Sequence, residues 1–142
     1  MTVRSHGNAV IAALKADTLV VGDSIQPENS GWTAKPGSSD FIPYIIVYST
    51  GGGGLYGSIS SDEESVFVYQ LTCVGSTREQ SDFMRDKARE VMLKRSSFDI
   101  TGRKVLYVVI DVPIATSRDD DVMPPVFFSA DRFRMRTVPR SL

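Results

Sequence analysis

Residues 69–94 constrain this chain more than any other stretch, because an apolar run passes through a single glycine into a charged, amphipathic one. Across 66–74, Val66, Val68, Gln70, Thr72 and Val74 alternate with Phe67, Tyr69, Leu71 and Cys73. β-Branched and aromatic residues supply both faces, which predicts a strand covered on each side. After Gly75, Ser76 and Thr77 stand three residues ahead of Glu79 and Gln80. That is the spacing of a capping box, in which side chains satisfy the free N–H groups that open a helix. Phe83, Met84, Ala88, Val91 and Met92 follow as an apolar stripe, with Arg78, Asp82, Arg85, Asp86, Lys87, Arg89 and Glu90 around the remainder. The pattern predicts a helix with one face on a sheet and the other in water.

The flanking sequence supplies the rest of a small domain. Val10, Ile11, Leu14 and the alanines at 9, 12, 13 and 16 predict a first helix of about three turns, capped by Ser5 or Asn8. Leu19, Val20 and Val21 suit a short strand, whereas residues 22–40 are rich in Ser, Gly, Pro and Asn and read as a long loop. Residues 41–48 are strongly β-prone, with Pro43 tolerable near a strand start, and Gly51 to Gly54 then break the chain as a flexible hairpin tip. Asp62, Glu63 and Glu64 mark a turn before the strand at 66–74, residues 103–113 read as a further strand, and 132–136 as a last one after Met123, Pro124 and Pro125. Short turns between consecutive strands favour antiparallel pairing. The expected fold is α+β, a mostly antiparallel sheet of four or five strands with two helices packed on one face. The 142 residues fit one domain, 1–142, with a single core.

Composition narrows the chemistry. A net charge of −1 with 42% hydrophobic and 23% charged residues describes an ordinary globular chain and names no partner. Cys73 is the only cysteine and lies within a predicted strand, so it reads as a buried, inert thiol in a reducing compartment. No run approaches the length of a spanning helix, so no membrane partner is expected, and the start of the chain argues against secretion. The four glycines at 51–54 lack the Gly-Lys-Ser/Thr of a phosphate loop. Asp119, Asp120 and Asp121 lack the alternating positions of a calcium loop. His6 is the sole histidine, sits near a terminus expected to be mobile, and cannot readily complete a catalytic triad. No catalytic residue, metal or cofactor is therefore expected.

Arg132, Arg134 and Arg136 are the sharpest charged feature, because strand alternation puts them on one side of the sheet and Phe133 and Met135 on the other. The row reads as a solvated face, as a phosphate-binding surface, or as a contact for a protein partner. Asp62, Glu63, Glu64, Asp119, Asp120 and Asp121 are acidic loop residues that a neighbouring copy can bring against these arginines, head to tail. Trp32, in the long loop, is either an anchor for a partner or a cover over the domain's own core.

The stretch Pro43-Tyr44-Ile45-Ile46-Val47-Tyr48, a glycine-rich turn, and Tyr69-Gln70-Leu71-Thr72-Cys73-Val74-Gly75-Ser76-Thr77-Arg78-Glu79-Gln80 resemble the tail terminator proteins of long-tailed, non-contractile bacteriophages, actinobacterial phages above all. The similarity continues through Phe83-Met84-Arg85-Asp86 and Ala88-Arg89 to Pro124-Pro125-Val126-Phe127 and Asp131-Arg132-Phe133. The resemblance implies a virion structural protein, not an enzyme, made in the host cytoplasm and residing at the head-proximal end of the tail. It implies a hexameric ring of copies that caps the tail tube protein, stops polymerisation, meets the head connector or neck protein, and lets DNA through its channel without reading sequence. Residues 22–40, 51–57 and 115–123 are then expected to order against neighbours. The alternatives are a head-tail neck adaptor and, in another class, a nucleic-acid-binding module using Arg132, Arg134, Arg136 and Arg140.

Overall fold

The computed structural model describes residues 2–32, 40–54, 64–121 and 124–140. Its elements run α1 (Thr2–Ala16), β1 (Val21–Asp23), β2 (Gly31–Trp32), β3 (Phe41–Ile42), β4 (Tyr44–Gly54), β5 (Ser65–Gly75), α2 (Arg78–Met92), a 3₁₀ turn (Arg95–Ser97), β6 (Arg103–Asp119) and β7 (Val126–Pro139). The architecture is α+β, and the main sheet has five strands in the order β1-β4-β5-β7-β6. Every pairing in it is antiparallel except β1 with β4, where Val21, Gly22 and Asp23 run beside Ile45, Ile46 and Val47. A separate two-stranded antiparallel pair joins β2 to β3.

The β5 strand is the centre of the sheet, and its alternation decides where the core lies. Phe67, Tyr69, Leu71 and Cys73 are fully buried, as are Phe133 and Met135 on β7 and Ile45 and Val47 on β4. The helices meet these same residues. From α1, the His6 ring stacks on Phe67 at 4.1 Å, while Val10 and Leu14 join the core. From α2, Ser81 donates to the Cys73 carbonyl and Met84, Ala88, Val91 and Met92 are buried. Truncating Phe67 or Phe133 to alanine costs about 3–5 kcal/mol, the usual loss for a buried aromatic.

The joint between β5 and α2 forms as its sequence requires. Thr77 is the N-cap, its Oγ1 accepting from Gln80 N–H at 3.1 Å, and Gln80 Oε1 reaches back to Ser76 N–H at 2.7 Å. Gly75 is needed because a Cβ there would stand 2.6 Å from Ser81 N, so only glycine lets the helix start this close to the strand.

Several expectations need correction. Val66, Val68, Gln70 and Thr72 are only half-buried, so among the described residues this face of β5, Val74 apart, is less covered than the other. Phe83 is 56% exposed, because it shares its side of α2 with Lys87, whose Nζ lies 5.7 Å over the ring, and not with Met84 and Ala88. Gly51 to Gly54 do not break the chain: they continue β4, with Gly52, Gly53 and Gly54 opposite Phe67, Val66 and Ser65 after a bulge that begins at Ser49. Residues 115–119, expected as loop, belong to β6, which is carried past 113 by its ladder with β7. The α1 helix starts at Thr2, leaving Ser5 and Asn8 inside it, because His6 is anchored to the core. Within 22–40, β1 ends and β2 forms, and Pro43 falls at the break between β3 and β4. Residues 33–39, 55–63 and 122–123 lie outside the described residues, and with them parts of the three segments expected to order against neighbours.

Candidate functional site

Strand alternation leaves a second set of sheet positions pointing away from the buried set, and they form an outer face. It carries Tyr44, Ile46 and Tyr48 from β4, the even-numbered residues of β5, Phe128 to Arg136 in alternation on β7, and their β6 partners Tyr107, Val109, Val112 and Ile114. Val112 is 41% and Val109 37% exposed on β6, the edge strand of the sheet. A groove of about 410 Å³ runs across this face, lined by Tyr48, Thr50, Gln70, Thr72, Ile114, Phe128 and Ala130.

The arginine row lies on this face, as its alternation predicts, and each member has an intrachain neighbour. Arg132 Nε donates to Gln70 Oε1 at 3.2 Å, and Arg134 Nη2 lies 3.8 Å from Asp111. Arg136 pairs with Glu64, whose hydrogen bond, followed by that of Tyr107, raises the guanidinium above its ordinary value. Asp62 and Glu63 lie outside the described residues. Glu64 and Arg136, expected across a contact between copies, thus meet inside one chain.

Asp119, Asp120 and Asp121 stand where β6 ends and do not converge. Asp120 takes Arg118 Nε at 2.5 Å, and Asp119 Oδ1 accepts from Asp121 N–H at 3.0 Å. Among the described residues no three His, Cys, Asp or Glu side chains are grouped to hold a metal, and no helix is long and apolar enough to cross a membrane. Trp32 is half-buried with its ring edge on Phe41 at 5.1 Å, and Phe41 stacks towards Tyr44 at 6.2 Å. These aromatics, with Phe128 and Asp119, line a second hollow of about 240 Å³, and Trp32 Nε1 is buried with no hydrogen-bond partner among the described residues.

Two buried polar groupings escape the sequence pattern. Asp131 occupies a core-facing position of β7 and is gripped by Arg85 Nη2 at 2.7 Å and Arg89 Nε at 2.8 Å. Its signal is a carboxylate at an inward position of an alternating strand, opposite arginines spaced i, i+4 on a helix. The other is His6, which is fully buried instead of sitting on a mobile terminus; its Nε2 and Thr137 Oγ1 hydrogen-bond at 2.8 Å. Arg103 adds bonds from Nη2 to Ser65 Oγ, Thr137 Oγ1 and Thr137 O, each at 3.2 Å. Sequence reasoning had only the lone histidine to go on, with no pattern tying it to a threonine 131 residues away. Both groupings pin helices or strand ends to the sheet.

Compared with models of known protein families, and with curated proteins, the chain matches none.

Proposed function

We propose that this chain is a virion structural protein that ends the tail tube of a long-tailed phage: a tail terminator. The observation that carries the reading is the outer face of the sheet. Its central strand has the apolar composition of one buried on both sides, yet among the described residues one side is much less covered than the other, leaving valines, tyrosines and arginines for a partner. With α1 and α2 read as lying together on the core face, the outer face is free to sit on another protein ring. The resemblance to tail terminators, carried by residues from Pro43 to Phe133, points to the last ring of the tube or the head connector as that partner. Such a subunit makes and breaks no bond; it works by presenting a surface that accepts one ring and is unsuitable for the next.

Electron microscopy of intact particles carrying a labelled copy of the chain tests this. Label at the head-proximal end of the tail, with tubes of undefined length when the chain is withheld, is the expected result. Label on the head side of the joint makes the chain a neck adaptor instead, and particles without label refute the virion reading.

A further inference from the structure

The arginine row is largely engaged within its own chain, so the charges left for a contact between copies lie elsewhere. Two of them sit at the ends of β6. At one end is the hollow of about 240 Å³ bounded by Trp32, Phe41, Tyr44, Phe128 and Asp119. It is smaller than the roughly 300 Å³ at which small-molecule sites begin, and suits one side chain. Among the described residues Asp119 makes no ion pair and accepts only the Asp121 N–H. Aromatic rings around a carboxylate attract a cation, an anion is repelled, and a neutral apolar group would strip water from Asp119 without replacing it. A basic side chain supplies the missing counter-charge.

The other end of β6 supplies that cation. Arg95, Lys104 and Arg140 surround an open hollow there, but Arg95 Nη1 is bonded to the Leu106 carbonyl and Arg140 Nη2 to the Arg103 carbonyl. Lys104 is exposed, and its side chain makes no hydrogen bond or ion pair among the described residues. Lys104 and Asp119 are fifteen residues apart on one strand. The same span takes twelve residues of β7, Val138 to Val126, so at a rise of about 3.3 Å per residue they lie roughly 40 Å apart, beyond the reach of any side chain in the same molecule. Only another copy can bring them together. Side-by-side pairing of β6 edges is disfavoured, since the strand carries Pro113 and irregularities at 105/107, 110/112 and 114/117, features that blunt an edge.

We infer that Lys104 of one copy enters the Trp32–Asp119 hollow of the next, joining copies head to tail. This deepens the ring reading and rests on it, by naming the neighbour contact that such a ring needs. Each copy gives one lysine and receives one, so the contact propagates instead of closing on a pair.

Sedimentation velocity of the isolated chain over a range of concentrations, at low and moderate salt, tests the contact. Trp32, the only tryptophan, reports on its own hollow by fluorescence. The expected result is salt-sensitive association beyond the dimer, with a change in Trp32 emission that tracks it. Asp119→Asn and Lys104→Glu should each weaken association at least about tenfold with melting temperature unchanged, and Asp119→Lys combined with Lys104→Asp should restore it. Association unaffected by either single variant, no rescue by the exchange, a species that stops at the dimer, or a wild-type chain that stays monomeric would overturn the contact. None of these outcomes touches the location of the chain in the particle, which decides the proposed function separately.

Discussion

Asp131 shows how one side chain can carry a disproportionate share of stability. Burial pushes its carboxyl up, but hydrogen bonds from Arg89 and Arg85 and their charges outweigh that, and the group ends below its ordinary value. A carboxyl lowered by folding contributes its full share above the unfolded value near 4, and the contribution disappears as pH falls through the folded value. Replacing Asp131 with asparagine strands two half-covered guanidinium groups, and breaking a buried pair costs about 3 kcal/mol at the low end of the usual range. We expect a melting temperature roughly 6–12 °C lower at pH 7 and a smaller difference from wild type at pH 3, both read by calorimetry. Equal melting of the two proteins at pH 7 would show that the arginines do not depend on this carboxylate. Cys73, beneath the same cluster, has its thiol pushed up to about 12, by burial first and the Asp131 charge second. A thiol reagent at pH 8 should leave the native protein untouched and label it fully in denaturant; rapid native labelling would mean that β5 opens readily.

The strand-to-helix joint behaves as a unit because a backbone contact fixes it. A Cβ at Gly75 would meet Ser81 N at 2.6 Å and the Gln80 carbonyl carbon at 2.9 Å, and these are backbone atoms that cannot rotate away. Gly75→Ala should therefore cost about 1–3 kcal/mol, the range for overpacking. Gly7 is the control: it lies in α1 with nothing within 4 Å of an added Cβ, so Gly7→Ala should be neutral or stabilise by up to about 1 kcal/mol. Denaturant midpoints of the two variants check this, and a Gly75→Ala protein as stable as Gly7→Ala would mean that the helix start is free to shift. This joint was legible in the sequence because period-two alternation, a glycine and a cap spacing are all local signals. Gly51 to Gly54 were not: glycine has low strand propensity, and only the ladder with β5 holds them extended. Phe83 was misplaced for a different reason. A single residue is about 100° of helix, enough to move an aromatic from the buried stripe to the Lys87 side. Likewise Asp131 and the arginines above it are ordinary charges on the page, and their burial follows from which helix crosses which strand.

At the scale of the whole molecule the proposed role of the outer face separates assembly from stability. Arg134 is half-exposed and its partner Asp111 lies at 3.8 Å, a surface pair that contributes at most about 1 kcal/mol. Arg134→Glu should then leave the fold and its melting temperature almost unchanged. Yet it places a negative charge in the middle of the arginine row, beside exposed Val109 and opposite Val112's side of the ladder, where a partner ring would rest. Val112→Asp attacks the same surface without touching an ion pair, and buried at an interface it would desolvate a carboxylate with nothing to pair it. Both variants are expected to fold normally, to be incorporated into particles poorly, and to leave tubes of irregular length by negative-stain microscopy. The two act through different chemistry, so they separate the possible outcomes. Loss with Val112→Asp alone would make the contact apolar and the arginines bystanders; loss with Arg134→Glu alone, relieved at high salt, would make it electrostatic. Normal tails from both variants at moderate salt would remove the outer face from assembly altogether and leave only the ends of β6 to join this subunit to its neighbours.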